Sequence, residues 1–587
     1  MIIVGFYKGH NATACLLKDG KIIAAASEER FNRVKNSDTF PKKAIEYCLE
    51  EAGIKATDVD LFVRTYRHPE GYIAPDGETK SSFFLTLLFS PVVYLRKFLF
   101  YFPSAHDVVI RIYNYFSEKF LVPNFQNHFR KNMSLFLGVD PRKIVFADHH
   151  LCHAYAAYYG FVEKVNDKKD YLVVTVDGEG DGICATVSAV KKGVWKRISK
   201  TVGGNSIATF YGLITQFLGM KMNEHEYKVM GLAPYVSKFE MEKVYPLFNG
   251  LFWIDRGLVF HTRIPSGSLG EYFKRVLCYK RFDGVAAASQ AYVENIVCEF
   301  IKRAIKKSGI DKVVLGGGFF MNVKANKTIS ELNEVSEIIP CPSAGDESTV
   351  FGAAYWGYEK LCKEKRKDFC PLPILGLYLG PNFDKFDVDL VLKDRLIKRK
   401  YKIERVSNID KKVANLLAQG KIVARFKGRM EWGARALGNR SILMDPRRVD
   451  LKRELNEQVK SRDFWMPFAA SILEENATKY LVNPKKVDGS FMIMAFDTTL
   501  KGREHLAAAI HPQDFTCRPQ IVKNTVNSEY CGLIREFKKK TGVGAVLNTS
   551  FNYHGEPIVC SPSDALNTFK LTGLKYLALD NYLIIKR

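Results

Sequence analysis

Apolar and polar positions alternate in blocks from the first residues. Ile2 to Phe6 is an apolar run that reads as a strand, and the polar stretch Lys8-Gly9-His10-Asn11 closes it. Ala14 to Leu17, the turn Asp19-Gly20 and Ile22 to Ala26 then predict a hairpin. Pro41, a residue suited to a first helical turn, opens a helix over Lys42 to Ala52. The same order returns further on. Tyr171 to Val176 reads as a strand and is followed by the loop Asp177-Gly178-Glu179-Gly180. Ala185 to Val190, the turn Lys192-Gly193 and Trp195 to Ile198 form a second hairpin pattern. Strand, polar loop and hairpin occurring twice predict an internally duplicated nucleotide-binding fold with its ligand between the halves.

Between the repeats, Ser81 to Val122 is dense in Phe, Tyr and Leu and carries Arg96, Lys97, His106 and Arg111. Two readings stay open: a helical insertion packed on the core, or an element that recognises a substrate or a membrane surface. A charged run, Lys363 to Asp368, followed by Pro371 and Pro373, has linker composition. Beyond it Ile422 to Phe426 and Gly544 to Leu547 read as strands and Leu451 to Val459 as a helix, which predicts a second α/β domain. The expected division is 1–362, with an insertion at about 81–122, and 363–587.

Composition narrows the class. A chain of 587 residues is too long for one core. Hydrophobic residues at 47% and charged residues at 26% are ordinary for a globular protein. The net charge of +24 is spread along the chain, with no basic tail or nucleic-acid module, so nucleic acid is not an expected partner. Twelve cysteines without a Cys-x-x-Cys pair argue for reduced thiols rather than a zinc ribbon or disulfide framework. The chain enters its first strand at once, and its most apolar stretch, Ser82 to Phe102, contains Pro91, Arg96 and Lys97. A cytoplasmic enzyme is the expectation, with peripheral membrane contact left open and the oligomeric state unread.

Three constellations carry chemistry. In Asp148-His149-His150-Leu151-Cys152-His153, His149 and His153 are four apart, so a helix presents both on one face as ligands for a divalent transition metal. An oxygen ligand from elsewhere is required, and Asp346 and Asp177 are both candidates, each beside glycine. Gly316, Gly317 and Gly318 end the apolar strand Lys312 to Leu315, and with Asn322 they suggest a nucleoside site. In the second domain Arg429, Arg435 and Arg440 fall within twelve residues, among Gly, Trp, Leu and Asn439. Lys460, Arg462 and Arg518 add charge, and Ser550 and Asn552 add small donors after a buried strand. Together these predict a phosphate pocket, because planar guanidinium groups bind phosphate in bidentate fashion.

These stretches resemble the NodU/CmcH carbamoyltransferase family, which includes nodulation-factor and antibiotic-tailoring enzymes. The resemblance rests on Gly9-His10-Asn11-Ala12, Glu28-Glu29-Arg30-Phe31, the histidine run, Tyr227 to Pro234, Gly345-Asp346, Gly428 to Ser441, Pro467-Phe468-Ala469, and Asn548 to Asn552 with Gly555-Glu556-Pro557. It implies an actin/Hsp70/sugar-kinase-like (duplicated ribonuclease H-like) N-terminal domain and a YrdC-like C-terminal domain. The C-terminal domain would make carbamoyl-adenylate from carbamoyl phosphate and ATP, with Mg as ATP's partner. The N-terminal domain would pass the carbamoyl group to a hydroxyl on a small-molecule or glycan acceptor. By the same resemblance His149, His153 and Asp346 match ligands of Fe(II), with Mn or Zn open by ligand type. His10 matches a histidine near the acceptor, and Lys460, Arg518 and Ser550 match carbamoyl-phosphate contacts. Lys228, in the Tyr227 to Pro234 motif, joins the glycine turn as a nucleotide-binding candidate. Met466 stands where the family often has Arg, a contact that Arg462 could replace. The rival readings are a threonylcarbamoyl-type transferase acting on tRNA and a non-catalytic ATP-binding regulator.

Overall fold

In the computed structural model, residues 1–68, 119, 122–163, 165–167, 169–460 and 462–587 are described. Nearly all of the aromatic segment Ser81 to Val122 therefore lies outside the described residues.

The repeat read from the sequence is a repeat of strand order. In the first half, β1 (Ile2–Tyr7) pairs antiparallel with β2 (Thr13–Lys18), which pairs antiparallel with β3 (Lys21–Ser27). On its other side β1 lies parallel to β4 (Leu61–Arg64), and β4 parallel to β5 (Ile144–Phe146). The order is β3-β2-β1-β4-β5. The second half repeats it with β6 (Tyr171–Gly180), β7 (Ile183–Lys191) and β8 (Val194–Val202) antiparallel. A short β9–β10 hairpin (Phe252–Ile254 and Phe260–Thr262) follows. Then β11 (Lys312–Gly316) and β12 (Glu337–Pro340) add in parallel, in the order β12-β11-β6-β7-β8. Apolar runs such as Leu172-Val173-Val174 suit strands covered on both faces, and all three residues are fully buried.

Each fifth strand leads into a helix, His149–Phe161 after β5 and Thr349–Glu364 after β12, and these helices pack against each other. Gly352 makes the approach possible: a Cβ there would sit 1.8 Å from the Cys152 carbonyl oxygen. Gly352→Ala gains about 1 kcal/mol of helix propensity. It must also part the two central helices, an overpacking cost of at least about 1–3 kcal/mol. The expected outcome is a lower thermal midpoint, checked by circular dichroism; an unchanged or higher midpoint would show that the helices yield freely.

After the linker the strands form one mixed sheet. Its members are β13 (Tyr401–Arg405), β14 (Val423–Phe426), β15 (Arg440–Met444), β16 (Ala469–Leu473), β20 (Gln520–Val522), β21 (Ala545–Ser550), β22 (Tyr576–Leu579) and β23 (Tyr582–Lys586). The order is β13-β23-β22-β14-β15-β21-β16-β20, and β17 (Leu481–Val482), β18 (Phe496–Thr498) and β19 (Thr516–Cys517) make a small side sheet. Two clasps join the halves. Arg30 donates to the Gly433 carbonyl, and Arg33 to those of Pro557 and Ile558. In the second clasp His511 Nε2 meets the Gly231 carbonyl at 2.9 Å, and Lys228 pairs with Asp463 at 3.0 Å. All twelve cysteines are free thiols, and no helix among the described residues is long and apolar enough to cross a membrane.

Candidate active site

The duplication brings the ends of β1 and β6 and the starts of the two central helices to one place. Asp148 caps the helix His149–Phe161 by accepting from the Leu151 N–H at 2.7 Å. One helical turn then stacks His149 and His153, both fully buried, with their Nε2 atoms 3.1 Å apart. Asp346, just before the second helix, brings Oδ1 within 3.6 Å of His149 Nε2 and 3.4 Å of His153 Nε2. Asp177, in β6, brings Oδ2 within 3.6 Å of His149 Nε2. One ligand atom from each of these four residues lies within 4.8 Å of the others. Two imidazoles and two carboxylates form a donor set that fits a divalent transition metal.

The electrostatics agree with a cation. Burial alone would keep His149 neutral, but Asp177, Asp346 and Asp181 reverse that and bring its imidazole up to about 9. Against the effect of burial, His149 and His153 hold the Asp177 carboxyl far below its ordinary range. His150 is different. Its ring nitrogens meet Thr175 Oγ1 and the Ile183 carbonyl, each at 2.8 Å, and burial, then His149 and His153, push it down to about 3. It is a satisfied core histidine between the two histidines of the cluster.

A second cluster lies in the C-terminal half. Arg435, Arg462 and Arg518 are partly exposed, and among the described residues none has a carboxylate within ion-pair distance. Burial lowers all three guanidinium groups; Arg435 and Arg462 repel Arg518 and push it further down. Lys460, 3% exposed, donates to Ser550 Oγ at 3.2 Å and Asn552 Oδ1 at 2.6 Å, and Ser550 Oγ donates to Asn552 Oδ1 at 2.7 Å. Burial, then repulsion from Arg462, holds the Lys460 amine well below its ordinary range. Like charges gathered in this way call for an anion.

One short segment connects the clusters. Asp346 faces the histidines, while its neighbour Glu347 accepts from Ser343 Oγ at 2.5 Å. Ser343 Oγ in turn accepts from the Ala434 N–H at 3.0 Å, next to Arg435. Burial raises the Glu347 carboxyl, and the hydrogen bond from Ser343, then the nearby His10, work against that shift. His10 itself is exposed, with Nε2 3.2 Å from the Asn223 carbonyl.

Comparison with known proteins decides the family. The family described as "Carbamoyltransferase N-terminus" matches residues 2–355, and "Carbamoyltransferase C-terminus" matches residues 414–586. The chain belongs to the carbamoyltransferase family. It is 30% identical to the nodulation protein NolNO of Sinorhizobium fredii, over 98% of this chain and 79% of that one. It is 31% identical to the nodulation protein NolO of Bradyrhizobium diazoefficiens, over 75% of this chain and 79% of that one. An uncharacterized protein of Methanocaldococcus jannaschii is 30% identical over 100% of both chains. A solved structure of full-length HypF, in a phosphate- and nucleotide-bound form, shares 12% identity and a TM-score of 0.32 over 62% of this chain and 56% of that one.

Within this carbamoyltransferase chain several expected site residues point elsewhere. Arg429 donates to the Ile23 carbonyl at 2.8 Å and the Gly380 carbonyl at 3.0 Å, and pairs with Glu51 at 3.3 Å, so it ties the linker to the first domain. Arg440 is fully buried, 3.6 Å from the centroid of the Phe426 ring, and donates to the Gly428 carbonyl. Asn439 donates to the Arg429 carbonyl and accepts from Arg425 and Asn527. The glycine turn is filled by the protein itself. Gly317, at φ +96°, would press a Cβ to 2.3 Å from the Val176 carbonyl oxygen. A Cβ on Gly316 would lie 2.9 Å from the His153 carbonyl oxygen, and the Gly318 N–H donates to Asp177 Oδ1 at 2.7 Å. Asn322 caps the next helix and exchanges hydrogen bonds with Gln290. Lys228 is held by Asp463 in the second domain. The Gly318 N–H is thus spent on Asp177, beside the histidine centre.

Two contributors are faint in the sequence. Asp177 was weighed only as an alternative to Asp346, yet both converge. Arg462, read both as charge for the phosphate pocket and as a stand-in at Met466, joins Arg518, while Met466 is 6% exposed with its Sδ 3.4 Å from the position of a Gly231 Cβ. Glu431 had no signal at all. Its Oε1 accepts from the N–H groups of Leu437 and Asn439 at 2.7 Å and of Arg440 at 3.1 Å, which shapes the loop carrying Arg435.

Proposed function

We propose that this carbamoyltransferase works in two half-reactions, in an actin-like domain up to residue 362 and a YrdC-like domain from residue 363. In the second domain carbamoyl phosphate is hydrolysed to carbamate with release of orthophosphate, and the carbamate oxygen displaces pyrophosphate from ATP to give carbamoyl-adenylate; the first domain transfers the carbamoyl group to an acceptor hydroxyl on a small molecule or glycan, and AMP leaves. The observation that carries this reading is the trio Arg435, Arg462 and Arg518, none of them ion-paired with a carboxylate among the described residues, joined through Ser343 to Glu347 to a two-histidine, two-aspartate centre.

The chemistry follows from the residues. Arg435, Arg462 and Arg518 would hold phosphate oxygens and offset the charge that grows as pyrophosphate leaves. Lys460, held by Ser550 and Asn552, adds a buried cation beside them. His149, His153, Asp177 and Asp346 would hold a divalent metal, Fe(II) by family resemblance, which when bound polarises a carbonyl or lowers the pKa of a hydroxyl. His10, exposed and near enough to act on Glu347, would meet the acceptor. The short link between clusters would limit escape of an adenylate that water hydrolyses.

The test is to supply carbamoyl phosphate and ATP without acceptor and measure pyrophosphate together with carbamoyl-adenylate by mass spectrometry. Pyrophosphate release that depends on carbamoyl phosphate is expected. Release of neither product would reject the adenylate route.

A further inference from the structure

The four metal-facing side chains leave open what fixes the orientation of Asp346. Ligand imidazoles are ordinarily held through their second ring nitrogen, by a carboxylate or a carbonyl. Here neither His149 Nδ1 nor His153 Nδ1 has a hydrogen-bond partner among the described residues. The orienting contacts fall on the carboxylate instead. Tyr7, the last residue of β1, donates its hydroxyl to Asp346 Oδ2 at 2.8 Å. Tyr66, two residues beyond β4, donates to the same oxygen at 3.3 Å. The Tyr66 ring also lies against the His149 ring, with centroids 4.2 Å apart, and the two tyrosines stack at 5.7 Å. Asp346 therefore divides its oxygens: Oδ1 faces the histidines, and Oδ2 faces two phenols.

Two further features hold the phenols in place. Gly9 leaves the volume that the Tyr7 hydroxyl occupies, because a Cβ there would come within 2.4 Å of that oxygen. Asp181 fastens the chain after Tyr66 to the histidine helix. Its Oδ1 accepts from the N–H groups of Arg67 and His68, each at 2.9 Å, and its Oδ2 accepts from the His149 N–H at 3.0 Å. The Gly9 loop and the Asp181 turn thus converge on one carboxylate.

We infer that Tyr7 and Tyr66 are positioning residues that restrict Asp346 to one-oxygen ligation of the metal and thereby set the affinity and coordination number of the centre. The inference rests on the metal reading given above. Removing an outer-shell partner typically costs about 10–100-fold in metal affinity. Tyr7→Phe and Tyr66→Phe delete only a hydroxyl, so the fold should survive, and Tyr272→Phe, whose hydroxyl donates to the Leu247 carbonyl, serves as control.

The experiment strips the full-length protein of metal and titrates it with Mn(II) and Co(II) against a chromophoric chelator. Wild type and the control should bind alike. Each site variant should bind about tenfold more weakly, and the double variant about a hundredfold more weakly. The visible spectrum of bound Co(II), which follows coordination geometry, should shift in the site variants only. Folded site variants with wild-type affinity and an unshifted Co(II) spectrum would overturn the inference while leaving the metal reading intact. A wild-type protein that binds neither ion would overturn the metal reading and this inference with it.

Discussion

Arg518→Ala is expected to lose carbamoyl phosphate-dependent pyrophosphate release by on the order of 10²–10³-fold, the scale for removing one preorganised group from a developing charge. The expectation follows from surroundings more than from charge alone. Arg425 has Asp410 at 3.4 Å and Arg429 has Glu51 at 3.3 Å, so their charges are answered within the protein. Arg518 has no such partner among the described residues; its one hydrogen bond is a 3.4 Å contact from Nη1 to the Met492 carbonyl. Burial and two neighbouring arginines act against its charge, a cost that a bound phosphate would reverse. Arg518→Lys should recover only part of the rate, because an ammonium keeps the charge and loses the planar fork. Metal content should stay at the wild-type level in both variants. Pyrophosphate release within about threefold of wild type in Arg518→Ala, well short of the scale of a lost donor, would remove this residue from the first half-reaction.

How much of this was legible before the structure depends on the distance over which each residue finds its partners. The duplication was readable because a strand, a turn and a hairpin are local patterns, and Tyr171 to Ile198 repeats the pattern of Ile2 to Ala26. The histidine pair was readable for the same reason, since spacing within one helix decides which face the two side chains share. The division among the arginines was not. Arg429, Arg435 and Arg440 stand in one motif with similar neighbours, yet Arg429 is spent on carbonyls from Ile23 and Gly380, which only the tertiary fold brings near. Asp177 and Tyr7 illustrate an intermediate case. Both stand toward the C-terminal ends of the first strands of their repeats, so following the repeat one step further would have placed both beside the histidines. The glycine turn was not readable for a physical reason: glycine permits close approach by a ligand or by the protein's own backbone, and sequence cannot tell the two apart. Here Val176 and His153 take the space.

His153→Ala is expected to have the opposite profile to Arg518→Ala. Its imidazole Nε2 lies 3.1 Å from that of His149 and 3.4 Å from Asp346 Oδ1, so it borders the other ligand atoms at the middle of the centre. Losing a direct ligand should weaken metal binding by more than the roughly 10–100-fold typical of an outer-shell partner. Dialysed protein should then hold little metal by elemental analysis. Fold loss is a real competitor, because the side chain is fully buried and its deletion leaves a cavity beside the His149 ring. His153→Gln keeps most of the volume and replaces the imidazole, so it separates ligand loss from cavity formation. With either variant, pyrophosphate release from ATP and carbamoyl phosphate should stay within about twofold of wild type, because the arginine trio is untouched, while carbamoyl transfer to an acceptor hydroxyl falls by orders of magnitude as the Lewis acid is lost. The paired outcome matters more than either rate. If His153→Gln keeps its metal, the histidine centre is not the metal site. If it loses the metal and pyrophosphate release falls with it, the two clusters act as one site, and the connection through Ser343, Glu347 and Ala434 is a catalytic unit instead of a boundary between two half-reactions.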